Sequence, residues 1–317
     1  MKKLYLIKNP ELFQGEKYLK KKKNYFEGWY FKNTNLKDGI SFIPGISITK
    51  DKKKAFIQVI TNNSSYYINY DIEEFKYSFN PFYIKLGNNF FSKDKILIDI
   101  KDDANNLIVS GNINYSNHIN IKNNFLNPNI MGIFSFIPFM ECNHAILSMQ
   151  TTINGKININ NQIIEFNNNK GYIEKDFGTS FPKSYIWLQG NNFLNSNASF
   201  MLSIANIPFK IFHFKGIICS LIIDEEEYRF ATYNNTKIIE YDVNDKSLNI
   251  TLKKGRYYLN INSNFNEGLK LIAPVKGKMS KDILESIKEE ITIMLKKDNQ
   301  IIFSDKSINC GLEIVLD

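Results

Sequence analysis

Three short segments carry the residue types that could do chemistry. In GYIEKDFGTSFPKSYIWLQGNNF, Gly171 to Phe193, the charged triplet Glu174, Lys175 and Asp176 stands between aromatic residues. Alternate residues of a strand share a face, so Glu174 and Asp176 would point together and Lys175 away. Two carboxyls held on one face resist losing both protons, which would leave an acid near neutral pH. The same triplet also fits a surface ion-pair turn linking two domains. In PFMECNHAILSM, Pro138 to Met149, Glu141 and His144 lie close together in apolar sequence. A carboxylate beside an imidazole suits a proton relay, and a satisfied core histidine is the plainer reading. Cys142 beside His144 hints at metal, but no second Cys/His pair stands at ligand spacing, so no metal site is expected. In YFEGWYFK, Tyr25 to Lys32, aromatics crowd around a carboxylate. There Glu27, Trp29 and Phe31 would share one strand face, either as a pocket wall or as a core strand whose Glu meets a basic partner.

The elements that must position these residues read as strands. Segments such as AFIQVI, KILIDI, LIVSGNINY, SLNITL and YYLNINSN alternate apolar with polar residues, the period of a strand with one buried face. Turn chemistry punctuates them at ING 153–155, KKGR 253–256 and KKDNQ 296–300. Many short strands at close spacing favour barrels or sandwiches, so the chain is expected to be all-β. One short C-terminal helix is expected after Ser280, where Ile283, Leu284 and Ile287 would share a face.

The chain has 317 residues, 43% hydrophobic and 14% aromatic, enough for two packed domains and unlike a disordered protein. An ungapped match places WYFKNTNLKDGISFIPGI (29–46) on WLQGNNFLNSNASFMLSI (187–204), pairing the two tryptophans, Trp29 and Trp187. Two related β-domains, 1–170 and 171–317, follow from that match. The formal charge is +8, from 40 basic against 32 acidic residues, and is concentrated at Lys17 and Lys20 to Lys23. That block reads as a solvated arm, or as a contact for an anionic membrane surface or a phosphate-bearing ligand. Nucleic acid is not an expected partner, since no nucleic-acid module is recognisable. Three scattered cysteines, Cys142, Cys219 and Cys310, argue against a disulfide framework. With no signal-peptide core or apolar run of membrane-spanning length, a cytoplasmic protein is expected, peripheral to the membrane at most.

FEGWYFK, then a Glu and His before mid-chain, then GYIEKDFGTSFPKSYIWLQGN, and finally KSINCGLEI resemble the tocopherol cyclase family. The resemblance implies two lipocalin-like domains related to those of carotenoid 1,2-hydratases. It also implies a cofactor-free reaction: an acid protonates the alkene of a prenylated or isoprenoid molecule, and oxygen captures the tertiary cation. Such chemistry needs a protonated carboxyl in a dry site, aromatic faces for the cation, and controlled water. Glu174 or Asp176 would be the acid, tuned by His144 and Glu141. Trp29, Tyr30, Phe181 and Trp187 would form the walls, with Gln189 or Asn191 on a head-group oxygen. The apolar run 130–140 would flank the mouth. A lipid carrier that kept the fold without catalysis is the alternative.

Overall fold

The computed structural model describes residues 2–21, 23–125, 127–138, 140–209 and 212–316. Strands form where the alternation is clean. In Lys95–Asp102, Ile96, Ile98 and Ile100 are buried while Lys95, Leu97, Asp99 and Lys101 are exposed. Among the described residues two eleven-stranded antiparallel sheets result, each curled into a barrel-like shape around its own apolar core. The architecture is all-β, as the alternation implies.

The two sheets share one strand order. In the first, Tyr25–Thr34 lies between Gly39–Ile48 and Gln162–Gly178, and Cys142–Ile159 flanks the latter. In the second, Tyr185–Gly190 lies between Ala198–Phe209 and Gln300–Val315, and Lys278–Lys297 flanks the latter. The duplication is thus visible in topology. The side-chain register differs by one residue from the sequence match. Trp29 points into the first core, whereas Trp187 points out of the second core and meets Tyr30, with ring centroids 5.4 Å apart. A one-residue slip exchanges the faces of a strand, so Tyr30 rather than Trp29 is the counterpart of Trp187.

Two expectations about elements need correction. The region after Ser280 is not a helix but part of the long strand Lys278–Lys297. Its buried positions include Ile283, Glu285, Ile287, Glu289 and Ile291, so two carboxylates interrupt the apolar alternation and mimic a helical spacing. The 153–155 segment is not a turn but a bulge within Cys142–Ile159. Gly155 there has φ +147°, and a Cβ would stand 2.1 Å from the Asn112 carbonyl oxygen. A division at 170/171 also falls inside Gln162–Gly178, which pairs with first-sheet strands along its length. We place the boundary in the link between Gly178 and Tyr185.

Strands at the junction are buried on both faces. Tyr25–Thr34 is buried throughout except at Gly28. One face enters the first core, and the other joins an apolar cluster between the halves that contains Tyr30, Tyr172, Tyr185 and Trp187. Lys32 is a polar strut in this junction, donating to Gln189 Oε1 at 2.8 Å and to the Asn309 carbonyl at 2.6 Å. The N-terminal segment is anchored by Leu12 and Phe13, both buried. Lys17, Lys20, Lys21 and Lys23 are exposed, and Lys22 lies outside the described residues. No described helix is long and apolar enough to cross a membrane.

Candidate functional site

A cavity of about 150 Å³ opens between the two halves, against the outer faces of their sheets rather than inside either core. Its position follows from strand parity. Phe26, Gly28 and Tyr30 face it from the opening strand, while Glu27, Trp29 and Phe31 face the first core. The wall is largely aromatic and aliphatic, with Phe181 packing edge-on against both Phe26 (5.4 Å) and Tyr185 (5.9 Å). The 130–140 run supplies Met131, Phe134 and Met140 to the wall.

Antiparallel pairing brings the first polar group together. His144 lies directly across from Asp176 in the ladder, and Ile146 lies across from Glu174, so His144 reaches both carboxylates. Its Nδ1 is 2.9 Å from Asp176 Oδ1, and its Nε2 is 3.2 Å from Glu174 Oε2. The second contact is an ion pair rather than an aligned hydrogen bond. Glu174 Oε2 also accepts from Tyr172 Oη at 2.5 Å and from Trp187 Nε1 at 3.1 Å. Burial pulls the His144 imidazole down, but the charges of Glu174 and Asp176 and their hydrogen bonds outweigh it and hold it up to about 10. His144 is therefore an imidazolium at neutral pH, clamped between two acidic side chains.

Across the cavity stands a second polar group that the sequence reading did not single out. Glu313 and Glu285 are ladder partners on Gln300–Val315 and Lys278–Lys297. Glu313 borders the cavity, whereas Glu285 lies behind it with none of its surface exposed. Tyr185 Oη donates to Glu313 at 2.7 Å and Tyr30 Oη to Glu285 at 2.6 Å. Burial and the neighbouring Glu285 push the Glu313 carboxyl well above its usual range. Burial raises Glu285 to about 7 against the opposing hydrogen bond of Tyr30. Trp187 of the second half thus donates to Glu174 of the first, and Tyr30 of the first donates to Glu285 of the second. The signal for Glu285 was its inward position in an alternating strand. Glu313 sits in KSINCGLEI, a segment already singled out for its resemblance.

The structure brings together Glu174, Asp176, His144, Tyr30, Phe181 and Trp187 from the expected set. It does not bring in the others. Trp29 is fully buried in the first core, where its Nε1 donates to the Glu11 carbonyl. Glu141 is exposed, and its backbone carbonyl accepts from the amides of Thr179 and Ser180. Gln189 and Asn191 tie the halves together, through Lys32 and the Gly171 carbonyl respectively, and line neither this cavity nor the antechamber described below. Gln189 follows Trp187 on the same face of the strand but one step farther, where Lys32 fills the junction.

A larger, more polar antechamber of about 510 Å³ adjoins this cavity and shares Met131, Met140 and His144 with it. Gln14, Lys17, Ser135 and Asn143 line it. His144, Glu174 and Asp176 also offer ligand atoms within 4.8 Å of one another, a grouping able to hold a cation. Both imidazole nitrogens already face a carboxylate, so a cation would have to displace one of those contacts.

Glycine controls the indole wall. A Cβ on Gly311 would stand 2.6 Å from Trp187 Cζ3 and 2.7 Å from Cη2. Gly311→Ala should push the indole off Glu174 and into the cavity, at an overpacking cost of roughly 1–3 kcal/mol. Fluorescence of the Trp29→Phe background, which reports Trp187 alone, should change its emission maximum and its quenching by an apolar ligand. Unchanged emission would show that the wall has slack.

Comparison with known proteins gives one family. A family model described as tocopherol cyclase-like matches residues 109–316. No curated protein sequence matches the chain. Among solved structures, CghA with bound Sch210972 aligns with a TM-score of 0.58 at 6% identity, covering 93% of this chain and 89% of that one. A putative AttH from Nitrosomonas europaea aligns at 0.50 and 10% identity, covering 93% and 92%. Kievitone hydratase from Nectria haematococca aligns at 0.50 and 11%, covering 92% and 89%. At such identities these likenesses establish the shared two-domain, lipocalin-like fold.

Proposed function

Because the chain belongs to the tocopherol cyclase-like family, we propose that it is a cofactor-independent cyclase or hydratase acting on a prenylated or other isoprenoid molecule. The cleft between the halves binds the apolar chain, a buried carboxyl protonates an alkene, and an oxygen nucleophile captures the tertiary cation. One observation carries this reading: ionisable groups project from both sides into a cavity otherwise walled largely by aromatic and aliphatic side chains. The neighbours named as a hydratase and as a complex with a small organic molecule support the same class of chemistry.

The roles follow from placement. Ring faces of Tyr30, Phe181 and Trp187 offer electron density to a cation without forming a bond to it. Exclusion of bulk water by the aliphatic wall keeps that cation from indiscriminate capture. His144 borders both the cavity and the polar antechamber, and Asp176 borders the cavity beside it, so the pair is placed to orient the nucleophile: a phenol of the same substrate for ring closure, or a water molecule for hydration. Asp176, with 23% of its side chain exposed, is the more accessible of the two acids beside His144. It can accept the proton that the nucleophile releases.

Incubation with a panel of prenylated quinols in D2O, followed by mass spectrometry, tests the reading. Cyclisation should give a product carrying one non-exchangeable deuterium; hydration should add D2O across the alkene. Absence of any product at every pH, together with tight binding of the same molecules, would favour the lipid-carrier alternative. In that case Glu174→Gln and Asp176→Asn should leave affinity unchanged.

A further inference from the structure

The sequence pointed to Glu174 or Asp176 as the acid, but the geometry sets them in a different role. Both lie against the His144 imidazole, and Glu174 also takes hydrogen bonds from Tyr172 and Trp187. Every neighbour there is a donor, an environment built for carboxylates that accept. The opposite wall is built otherwise. Glu285 and Glu313 stand side by side as ladder partners, and burial disfavours the charged form of each. Tyr30 serves one Glu285 oxygen, and the other, Oε2, is buried with no hydrogen-bond partner among the described residues, beside the carboxyl of its ladder partner Glu313. Two bare carboxylates in that position would repel each other and leave Oε2 unsatisfied. One proton held by the pair removes both difficulties.

From this arrangement we infer that Glu285 and Glu313 form a proton-sharing dyad, and that Glu313, the member bordering the cavity, is the acid that protonates the bound molecule. The inference rests on the function proposed above and names the catalytic group within it. Glu285 is a positioning residue, together with Tyr30, which donates to it, and Lys32, whose charge favours its ionised form. The groups facing the dyad are Tyr30 and Lys32 from the opening strand, Glu174 from Gln162–Gly178, and Tyr185 from its own strand. Lys32 and Tyr30 bias the charge towards Glu285, and the apolar wall biases the proton towards Glu313.

The step balances. The alkene π pair forms a C–H bond with the Glu313 proton as the Glu313 O–H bond breaks. A tertiary cation is left facing a doubly charged dyad, an electrostatic pairing that the largely apolar wall strengthens. Oxygen then donates a lone pair to the cation, and the O–H proton it releases returns to the dyad through the His144–Asp176 side or through solvent. Ring closure consumes nothing; hydration consumes one water.

Two measurements on the full chain test the inference. Infrared difference spectra at neutral pH should show a protonated carboxyl band in the wild type. That band should vanish in Glu313→Gln and persist in Glu141→Gln, which alters an exposed carboxyl. With any panel molecule that turns over, Glu313→Gln should lower kcat about 100-fold or more while leaving the binding constant within a few-fold. Glu285→Gln should retain turnover but move the alkaline limb of the pH profile to lower pH, a shift that a purely structural residue would not produce. Persistence of the band in Glu313→Gln, or wild-type turnover with an unshifted profile in both variants, would overturn the dyad. If no panel molecule reacts, the function proposed above fails, and the infrared result alone still upholds or rejects the shared proton.

Discussion

Replacing Lys175 with methionine should cost roughly 3–5 kcal/mol, the penalty of stranding a buried partner charge. Against a typical total stability of about 5–15 kcal/mol, that is enough to leave the first half marginal. Lys175 and Glu27 are both fully buried, with Nζ 2.5 Å from Oε1. Lys175 also donates to the carbonyls of Pro10 (2.8 Å) and Leu12 (2.6 Å), and its ammonium lies 4.8 Å from the Trp29 ring centre. Glu27 in turn accepts from Tyr25 Oη and the Gln14 amide. One ion pair therefore pins the N-terminal segment onto the first barrel, and removing Lys175 leaves the Glu27 charge without a cation. Urea unfolding should show an early first transition in Lys175→Met, and much of the loss should return in Glu27→Gln/Lys175→Met, where no charge is stranded. Equal instability of the single and double variants would instead assign the effect to packing of the lysine stem.

That pair also shows how far the sequence could be read. Parity alone put Lys175 on the face opposite Glu174 and Asp176, and put Glu27 with Trp29, because a strand side chain has only two directions available. Which direction led to the cavity was not legible. Tyr25–Thr34 is buried on both faces, so alternation of polarity gives no sign of which face is core and which is cleft. Trp29, the more conspicuous ring, went to the core, and Tyr30 to the cleft. His144 meets Asp176 through a ladder register set by bulges along Cys142–Ile159, and no local pattern reveals that register. Glu285 escaped notice for the reason that the C-terminal helix was expected: a carboxylate at an inward strand position breaks the apolar period and leaves Ile283 and Ile287 four residues apart. Local rules fail where a site replaces a core side chain with a functional one.

The second large effect is a loss of stability as pH rises, with a size fixed by His144. Its imidazole binds a proton more tightly folded, at about 10, than at its ordinary 6.5. Its contribution is therefore fully present below about 6.5 and is lost as pH climbs to about 10. Glu285 acts in the same direction at lower pH. With its carboxyl raised from 4.5 to about 7, the stability tied to its proton is present below 4.5 and gone above about 7. Thermal denaturation should show a melting temperature that falls through both windows. His144→Gln should cost several kcal/mol near pH 6, where the imidazolium bridges Glu174 and Asp176, and the two curves should converge near pH 10. In Glu285→Gln the fall between pH 4.5 and 7 should flatten while the upper fall remains. A constant gap between wild type and His144→Gln at every pH would mean that the imidazole is neutral in the folded protein. The clamp between the two acids would then be held by hydrogen bonding alone.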